Sequence, residues 1–255
     1  MESRKFKVKK TVGITFKTIT VILLVSFFSC GKDSSCFKNT GKIITEHRAI
    51  SADVKEISID DNIDLVLTQS NEVGLMVEGG ENLLPYINTE ISGSELKISS
   101  DNKCSFLRAY DIPITVYLSL PNITKIYYTG KGTISCTDTL NFSDFTFETN
   151  QGTGSINLAM NSDKISIFQH TGPSDITISG NSKFLYLYAG ENGWLFFNHL
   201  ETDYVHTNHA GTGDMIVKAN KTLLVELTSN GNIDYYGNPT VTISVHTGSG
   251  QLRKK

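Results

Sequence analysis

Two apolar columns, separated by one polar residue, return about every twenty residues through the second half of this chain. The first holds Ile134, Ile156, Ile176, Met215, Ile233 and Leu252; the second, two residues on, holds Cys136, Leu158, Ile178, Val217 and Tyr235. The residues between are mostly polar: Ser135, Asn157, Thr177, Asp234. Period-2 alternation predicts a strand with one buried face. Each strand follows a turn motif, Thr129-Gly130-Lys131-Gly132-Thr133, then Gln151-Gly152-Thr153-Gly154-Ser155, Thr171-Gly172-Pro173-Ser174-Asp175 and Ala210-Gly211-Thr212-Gly213-Asp214. Degraded copies sit at Gly190 to Leu195, Ser229 to Ile233 and Thr247 to Leu252. In the Gly190 copy one inserted residue moves the apolar pair to Leu195 and Phe197. Taking Gly130, Gly152, Gly172, Gly190, Gly211, Ser229 and Gly248 as one column, the spacings are 22, 20, 18, 21, 18 and 19. A period in this range predicts stacked supersecondary units.

Equivalent strands are therefore expected side by side and parallel, each pairing its backbone with the coils above and below. Glycine suits the turn column where the corner needs positive φ or close backbone approach. The earlier half alternates too, at Ile57/Ile59, Ile63/Leu65/Leu67, Val73/Leu75/Val77, Leu96/Ile98 and Ile114/Val116/Leu118/Leu120, but without an even period. Asp60-Asp61-Asn62-Ile63-Asp64-Leu65 reads as a first copy of the motif, with Asp and Asn where glycine later stands. Only Glu81 to Tyr86 suggests a helical turn, and Pro85 stops a longer one. The division that follows is a leader over 1–29, a tether over 30–40 and a solenoid over 41–255, less regular over 41–120 and regular over 121–255.

The leader has a basic start (Arg4, Lys5, Lys7, Lys9, Lys10) and an apolar stretch from Ile19 to Phe28, short for a bilayer span. It ends in Phe27-Phe28-Ser29-Cys30-Gly31. This resembles a lipoprotein signal, in which Cys30 becomes the lipidated N-terminus; an ordinary secretory signal with a nearby cysteine is the alternative. More than one acyl chain on Cys30 would anchor the protein stably. Lys32-Asp33 just after it resembles a tag that exports lipoproteins to the surface of some Gram-negative cells, and a plain soluble tether is the other reading. The expected location is the outer membrane, facing the periplasm or the cell surface.

Charge narrows the partners. The whole chain carries a net charge of −3; without residues 1–29 it has 17 basic against 25 acidic residues, or −8. Only Arg253-Lys254-Lys255 is a basic run, so nucleic acid is not an expected partner. Cys36, Cys104 and Cys136 leave at least one thiol unpaired. Cys136 occupies an inward column and is expected as a buried free thiol. Cys36 with Cys104 is one available disulfide, whose geometry a sequence does not fix.

The search for chemistry returns little. His170, His209 and His246 each lie two residues before the column glycine, on separate coils, so they cannot share one metal; a mixed ladder with Tyr128, Asn150, Tyr188 and Leu227 is expected. His206 and His209 are three apart and point to opposite faces of a strand. Asp60, Asp61 and Asp64 form an acidic cluster of the kind that carbohydrate-active β-helix enzymes use, but no further carboxylates align with it outside the turn motif, where corner hydrogen bonding accounts for them. No catalytic, cofactor or metal residues are assigned. Tyr127/Tyr128, Tyr186/Tyr188, Trp194/Phe196/Phe197, Tyr204 and Tyr235/Tyr236 supply more rings than one core face needs, and alternation forces some outward. Such rings can stiffen the outer face, stack on sugars or dock a protein.

The repeat, with Asn62-Ile63-Asp64-Leu65-Val66-Leu67-Thr68-Gln69 and Val77-Glu78-Gly79-Gly80-Glu81-Asn82-Leu83-Leu84, resembles the putative auto-transporter adhesin, head GIN domain family, from about Val54 to Leu252. The resemblance implies an all-β, right-handed parallel β-helix, an exported and often lipidated protein, an adhesin-like role and no catalytic residues. The chain departs from the family pattern at Gly172-Pro173-Ser174 and Gly190 to Trp194, where coils are expected to bulge. The function expected is a non-enzymatic envelope lipoprotein with a glycan or protein ligand. The alternatives are a lyase or hydrolase on a parallel β-helix and an envelope scaffold.

Overall fold

The computed structural model describes residues 39–102 and 113–255. The leader, Cys30, Cys36 and Cys104 lie outside these residues. The chain forms a β-solenoid. Its early strands are β1 (Ile43–Arg48), β2 (Glu56–Ile59), β3 (Ile63–Gln69), β4 (Gly74–Gly80), β5 (Ile87–Ser92), β6 (Glu95–Ser100) and β7 (Ile114–Leu120). A single 3-10 turn at Leu84–Tyr86, containing Pro85, precedes β5. The regular coils are built from β8 (Lys125–Tyr128), β9 (Ile134–Cys136), β10 (Leu140–Asn141), β11 (Asp144–Asn150), β12 (Ser155–Thr171), β13 (Asp175–Ala189), β14 (Leu195–Phe197), β15 (Leu200–His209), β16 (Met215–Lys218), β17 (Thr222–Leu227), β18 (Ile233–Tyr236), β19 (Thr240–His246) and β20 (Leu252–Lys254).

Every pairing among β8 to β20 is parallel, as the columns predict. One face stacks Leu65, Ile134, Ile156, Ile176, Leu195, Met215, Ile233 and Leu252 in register. All but the terminal Leu252 are fully buried. The inserted residue near Gly190 is absorbed in the turn, so Leu195 keeps its place. A second face stacks Ile57, Ile126, Phe147, Ile167, Leu187, Thr207, Val225 and Ile243. Between these faces lies a short third corner, where Leu140, Met160, Gly180 and Leu200 align inward. Cys136 is half-buried rather than enclosed, because β9 ends there; its Sγ accepts the Ala159 N–H at 3.2 Å.

The motif glycines are required mainly by contact between coils. A Cβ on Gly154 would lie 2.0 Å from the carbonyl oxygen of Gly132 in the preceding coil. In the first copy Asp61 takes the left-handed conformation itself, at φ 63°. Leu65 follows it and pairs with Ile134, so the early copy is in frame with the later ones.

The early region differs in order. The β6–β7 coil follows β2–β3 in the chain but lies on the side of it away from β8 and β9. Antiparallel strands finish that end: β4 pairs β7, β1 pairs β4 and β5 pairs β6.

Candidate functional site

The face carrying β8, β11, β17, β19 and the later halves of β12, β13 and β15 turns alternate residues outward. Its apolar half is spent on the core, so what remains is Tyr127, Glu148, Phe168, Tyr188, Asn208 and Glu226 in one row, and Lys125, Thr146, Ser166, Tyr186, His206 and Leu224 in the next. The rings touch. Phe168 and Tyr186 have centroids 5.4 Å apart, Tyr186 and His206 5.1 Å, and His170 and Tyr188 5.6 Å. Ring pairs at these separations attract beyond the area they bury.

Charged groups frame the rings. Glu148 pairs with Lys125 at 2.7 Å and with His170 at 3.2 Å. The Lys125 hydrogen bond, aided by His170, holds the Glu148 carboxyl below its ordinary range. At the other side Glu226 pairs with His206 at 2.7 Å and accepts from Asn208 at 3.1 Å. Tyr186 is pushed up by burial and then by the charge of Glu226, so it stays a neutral hydroxyl. The result is a strip of partly exposed rings with hydrogen-bonding groups at both ends.

His170 belongs to this strip because of a bulge. Opposite Thr149 stands Gln169, and opposite Asn150 stands Thr171, so His170 is the extra residue and turns outward. The inward column is therefore Tyr128, Thr149, Gln169, Ala189, His209, Leu227 and His246, which departs from the ladder counted back from the glycines at Asn150, His170 and Tyr188 only. Its polar members brace the turns from inside. Tyr128 Oη donates to Gly132 O at 2.6 Å and accepts from Gly154 N at 3.1 Å; burial pushes the phenol up to about 12. Gln169 Nε2 donates to Ser174 O at 2.5 Å. His209 Nε2 donates to Gly213 O at 2.8 Å while Nδ1 accepts the Gly211 N–H at 3.3 Å. Burial lowers the His209 pKa, which keeps the neutral form this pair of bonds needs. His246 repeats the brace to Gly250 O at 2.9 Å.

His206 and His209 do face opposite sides, one on Glu226 and one inside. The acidic cluster is occupied by corner bonds. Asp60 accepts the Thr129 hydroxyl, Asp61 the Ser100 N–H at 2.9 Å and Asp64 the Thr133 N–H at 2.6 Å. Among the described residues no three His, Cys, Asp or Glu side chains gather in a metal-binding group. Of the rings singled out from sequence, Tyr128 and Phe197 are core, Tyr127, Tyr186 and Tyr188 lie in the strip, and Tyr204 stands beside it, 47% exposed. Trp194 and Phe196 stack at 5.7 Å on the other outer face. Sequence reasoning missed Phe168, Glu148 and Glu226; their spacing of about one coil from Tyr188, Phe168 and His206 was the available signal.

The sequence profile described as "putative auto-transporter adhesin, head GIN domain" matches residues 53–239. No curated protein matches the chain. Among solved structures, a putative adhesin from Bacteroides fragilis NCTC 9343 is 19% identical with a TM-score of 0.76, over 84% of this chain and 97% of that one. A putative lipid binding protein from Parabacteroides distasonis ATCC 8503 is 21% identical with a TM-score of 0.68, over 85% and 98% of the two chains. A putative adhesin from the same organism is 22% identical with a TM-score of 0.63, over 84% and 98%. At such identities the likeness is one of fold.

Proposed function

Because the chain belongs to the putative auto-transporter adhesin, head GIN domain family, we propose that it is a non-enzymatic cell-envelope lipoprotein whose solenoid is a binding module, and that its ligand docks on the ring strip. The observation that carries this reading is the contiguous set of partly exposed rings, Phe168, Tyr186, Tyr188 and His206, framed by Glu148 and Glu226. A strip of this kind offers large rigid contact area together with polar tips. Asp60, Asp61 and Asp64, the acidic cluster nearest to an enzyme's carboxylates, accept hydrogen bonds from Thr129, Ser100 and Thr133. Membership of an adhesin family supports a cell-surface or envelope location. The finer location follows from the leader: Cys30 is the lipidated mature N-terminus, residues 31–40 are the tether, and the anchor is the outer membrane.

Two measurements test this. Fatty-acid labelling and membrane fractionation are expected to find lipid on the wild-type protein, and Cys30→Ser to lose both label and membrane association. A Cys30→Ser protein that is cleaved normally and still fractionates with the outer membrane would remove lipid as the anchor. Glycan-array and pull-down screening supplies the ligand. Phe168→Ala/Tyr188→Ala is then expected to weaken its binding at least about tenfold while the fold survives. Undiminished binding would move the site off the strip.

A further inference from the structure

The third corner carries a stack that the ring strip does not use. Asn141, Asn161, Asn181 and Glu201 are in register on successive coils. Asn181 Nδ2 donates to Asn161 Oδ1 at 2.9 Å, and Asn161 Nδ2 donates to Asn141 Oδ1 at 3.0 Å. This ladder lines a surface groove of about 530 Å³, with Asp163, Lys183 and Asp203 also in its wall.

Three features specify what the groove would take. The first is the direction of the amide chain. Asn181 and Asn161 donate back to the coil before them and Asn141 donates to Thr139 O at 3.1 Å, so the Asn181 oxygen is left at the junction with Glu201. Adjacent strands put these rungs about 4.8 Å apart. Asn181 Oδ1 has no donor among the described residues, whereas the Glu201 oxygens already take Lys218 Nζ and, at 3.5 Å, Asn220 Nδ2, so the junction offers one open amide acceptor beside a carboxylate with lone pairs to spare. The second is charge. Lys183 pairs with Asp163 at 2.7 Å, Lys221 pairs with Asp203 at 2.7 Å, and Lys218 pairs with Glu201. Each of the three wall carboxylates is closed by a lysine, Lys183 from the wall itself and Lys218 and Lys221 from outside it, so none is left unpaired to select an ion. The third is the lack of an apolar anchor. Among the described residues Phe142 is the one aromatic in the groove wall and is only 2% exposed, so the wall they form offers no pocket for the buried hot spot a protein partner needs. Beside Asp203 stands Tyr204, half exposed, with the Lys221 ammonium 5.6 Å from its ring centroid.

We propose that this corner groove binds an uncharged oligosaccharide, whose hydroxyls donate to Asn181 and Glu201 and whose ring lies against Tyr204. The three steps from Asn141 to Glu201 span about 14 Å, which suits a short chain of sugars rather than a single one. The proposal rests on the binding-module reading but not on the ring strip.

The test uses the full mature protein in detergent micelles on an array of neutral, uronate-bearing and sulfated oligosaccharides, with retained glycans titrated by calorimetry. Neutral glycans are expected to bind. Asn181→Ala and Tyr204→Ala are each expected to weaken them about tenfold, the loss of one or two hydrogen bonds or one stacked ring, with the melting temperature unchanged. Tyr188→Ala on the strip is expected to leave this binding intact. Retention of acidic glycans alone overturns the proposal. So does neutral binding that survives Asn181→Ala and Tyr204→Ala but is lost with Tyr188→Ala; that result leaves the strip as the site. No glycan binding at all also overturns it, and a protein ligand lost with Tyr188→Ala would still uphold the binding-module reading.

Discussion

Residues 39–120 and 121–255 build one core by different routes. In the later region, order along the chain is order in space, and each strand pairs with one about twenty residues away. In the earlier region the β6–β7 coil sits outside the β2–β3 coil that precedes it, and antiparallel β1, β4 and β5 finish the stack. Yet Leu65 and Ile134 share a column. The difference teaches that burial fixes which residues face inward, while connections fix which coil lies where. Antiparallel edges also keep the parallel faces from offering a free template at that end.

The sharpest way to break this comparison is to charge one residue in each region. Ile156→Asp puts an unpaired carboxylate into the fully buried column. It is expected to cost about 4 kcal/mol or more. Ile91→Asp in β5, at a side chain already 40% exposed, is expected to cost under about 1 kcal/mol. Urea melts of both variants give the two numbers, and equal losses would erase the distinction. A gentler contrast uses glycine. Gly154→Val drives a side chain into the coil below and is expected to cost about 3 kcal/mol. Gly93→Ala, in the β5–β6 hairpin, meets nothing within 4 Å and suffers only from its φ of 61°. About 1 kcal/mol is expected there. Thermal denaturation that ranks Gly93→Ala as the worse would show that turn conformation, not coil contact, governs the glycines.

The smallest effect is one of pH. His209 is lowered from its ordinary 6.5 by burial. Its neutral form is the one that folds, so its stabilising contribution is fully present above pH 6.5 and is lost as pH falls below that value. The melting temperature is expected to drop by a few degrees through that window. His209→Gln keeps a donor for Gly213, as Gln169 does for Ser174, and is expected to flatten the slope. A variant with the wild-type pH profile would assign the titration elsewhere.

The regular coils were legible because Ile, Leu and Val at period 2 inside a period near twenty have one explanation, a stack of parallel strands. The frame held even at Asp61 and across the insertion near Gly190. The spatial inversion of the first coils was not legible, since Leu96/Ile98 and Ile114 to Leu120 alternate in the same way whichever neighbour they join. The ladder counted back from the glycines coincides with the inward column at Tyr128, His209, Leu227 and His246 and misses it by one at Asn150, His170 and Tyr188, because the distance from strand to glycine varies and a bulge such as that at His170 leaves the motif unchanged. The strip is half visible in the sequence: Tyr186 and Tyr188 stand out as paired rings, but Phe168 resembles any core Phe until its neighbours Ile167 and Gln169 are known to face inward. The corner ladder had its own signal, Asn141, Asn161 and Asn181 at intervals of 20, outside the motif that drew attention.

The inverted order of the first two coils also governs how the protein can form. A ribosome delivers the chain N-terminus first. A solenoid with chain order equal to space order could add each coil to the last as it emerged. Here β2 and β3 gain one set of neighbours only when β6 and β7 have been made, and the other only when β8 and β9 follow. The loop from β3 to β7 must close before any of that pairing is rewarded, and such closure is entropically slow. The regular coils from β11 onward need only local neighbours. The later coils can pair with neighbours that lie next to them in the chain, whereas the pairing of β2 and β3 is complete only once β6 to β9 are all in place.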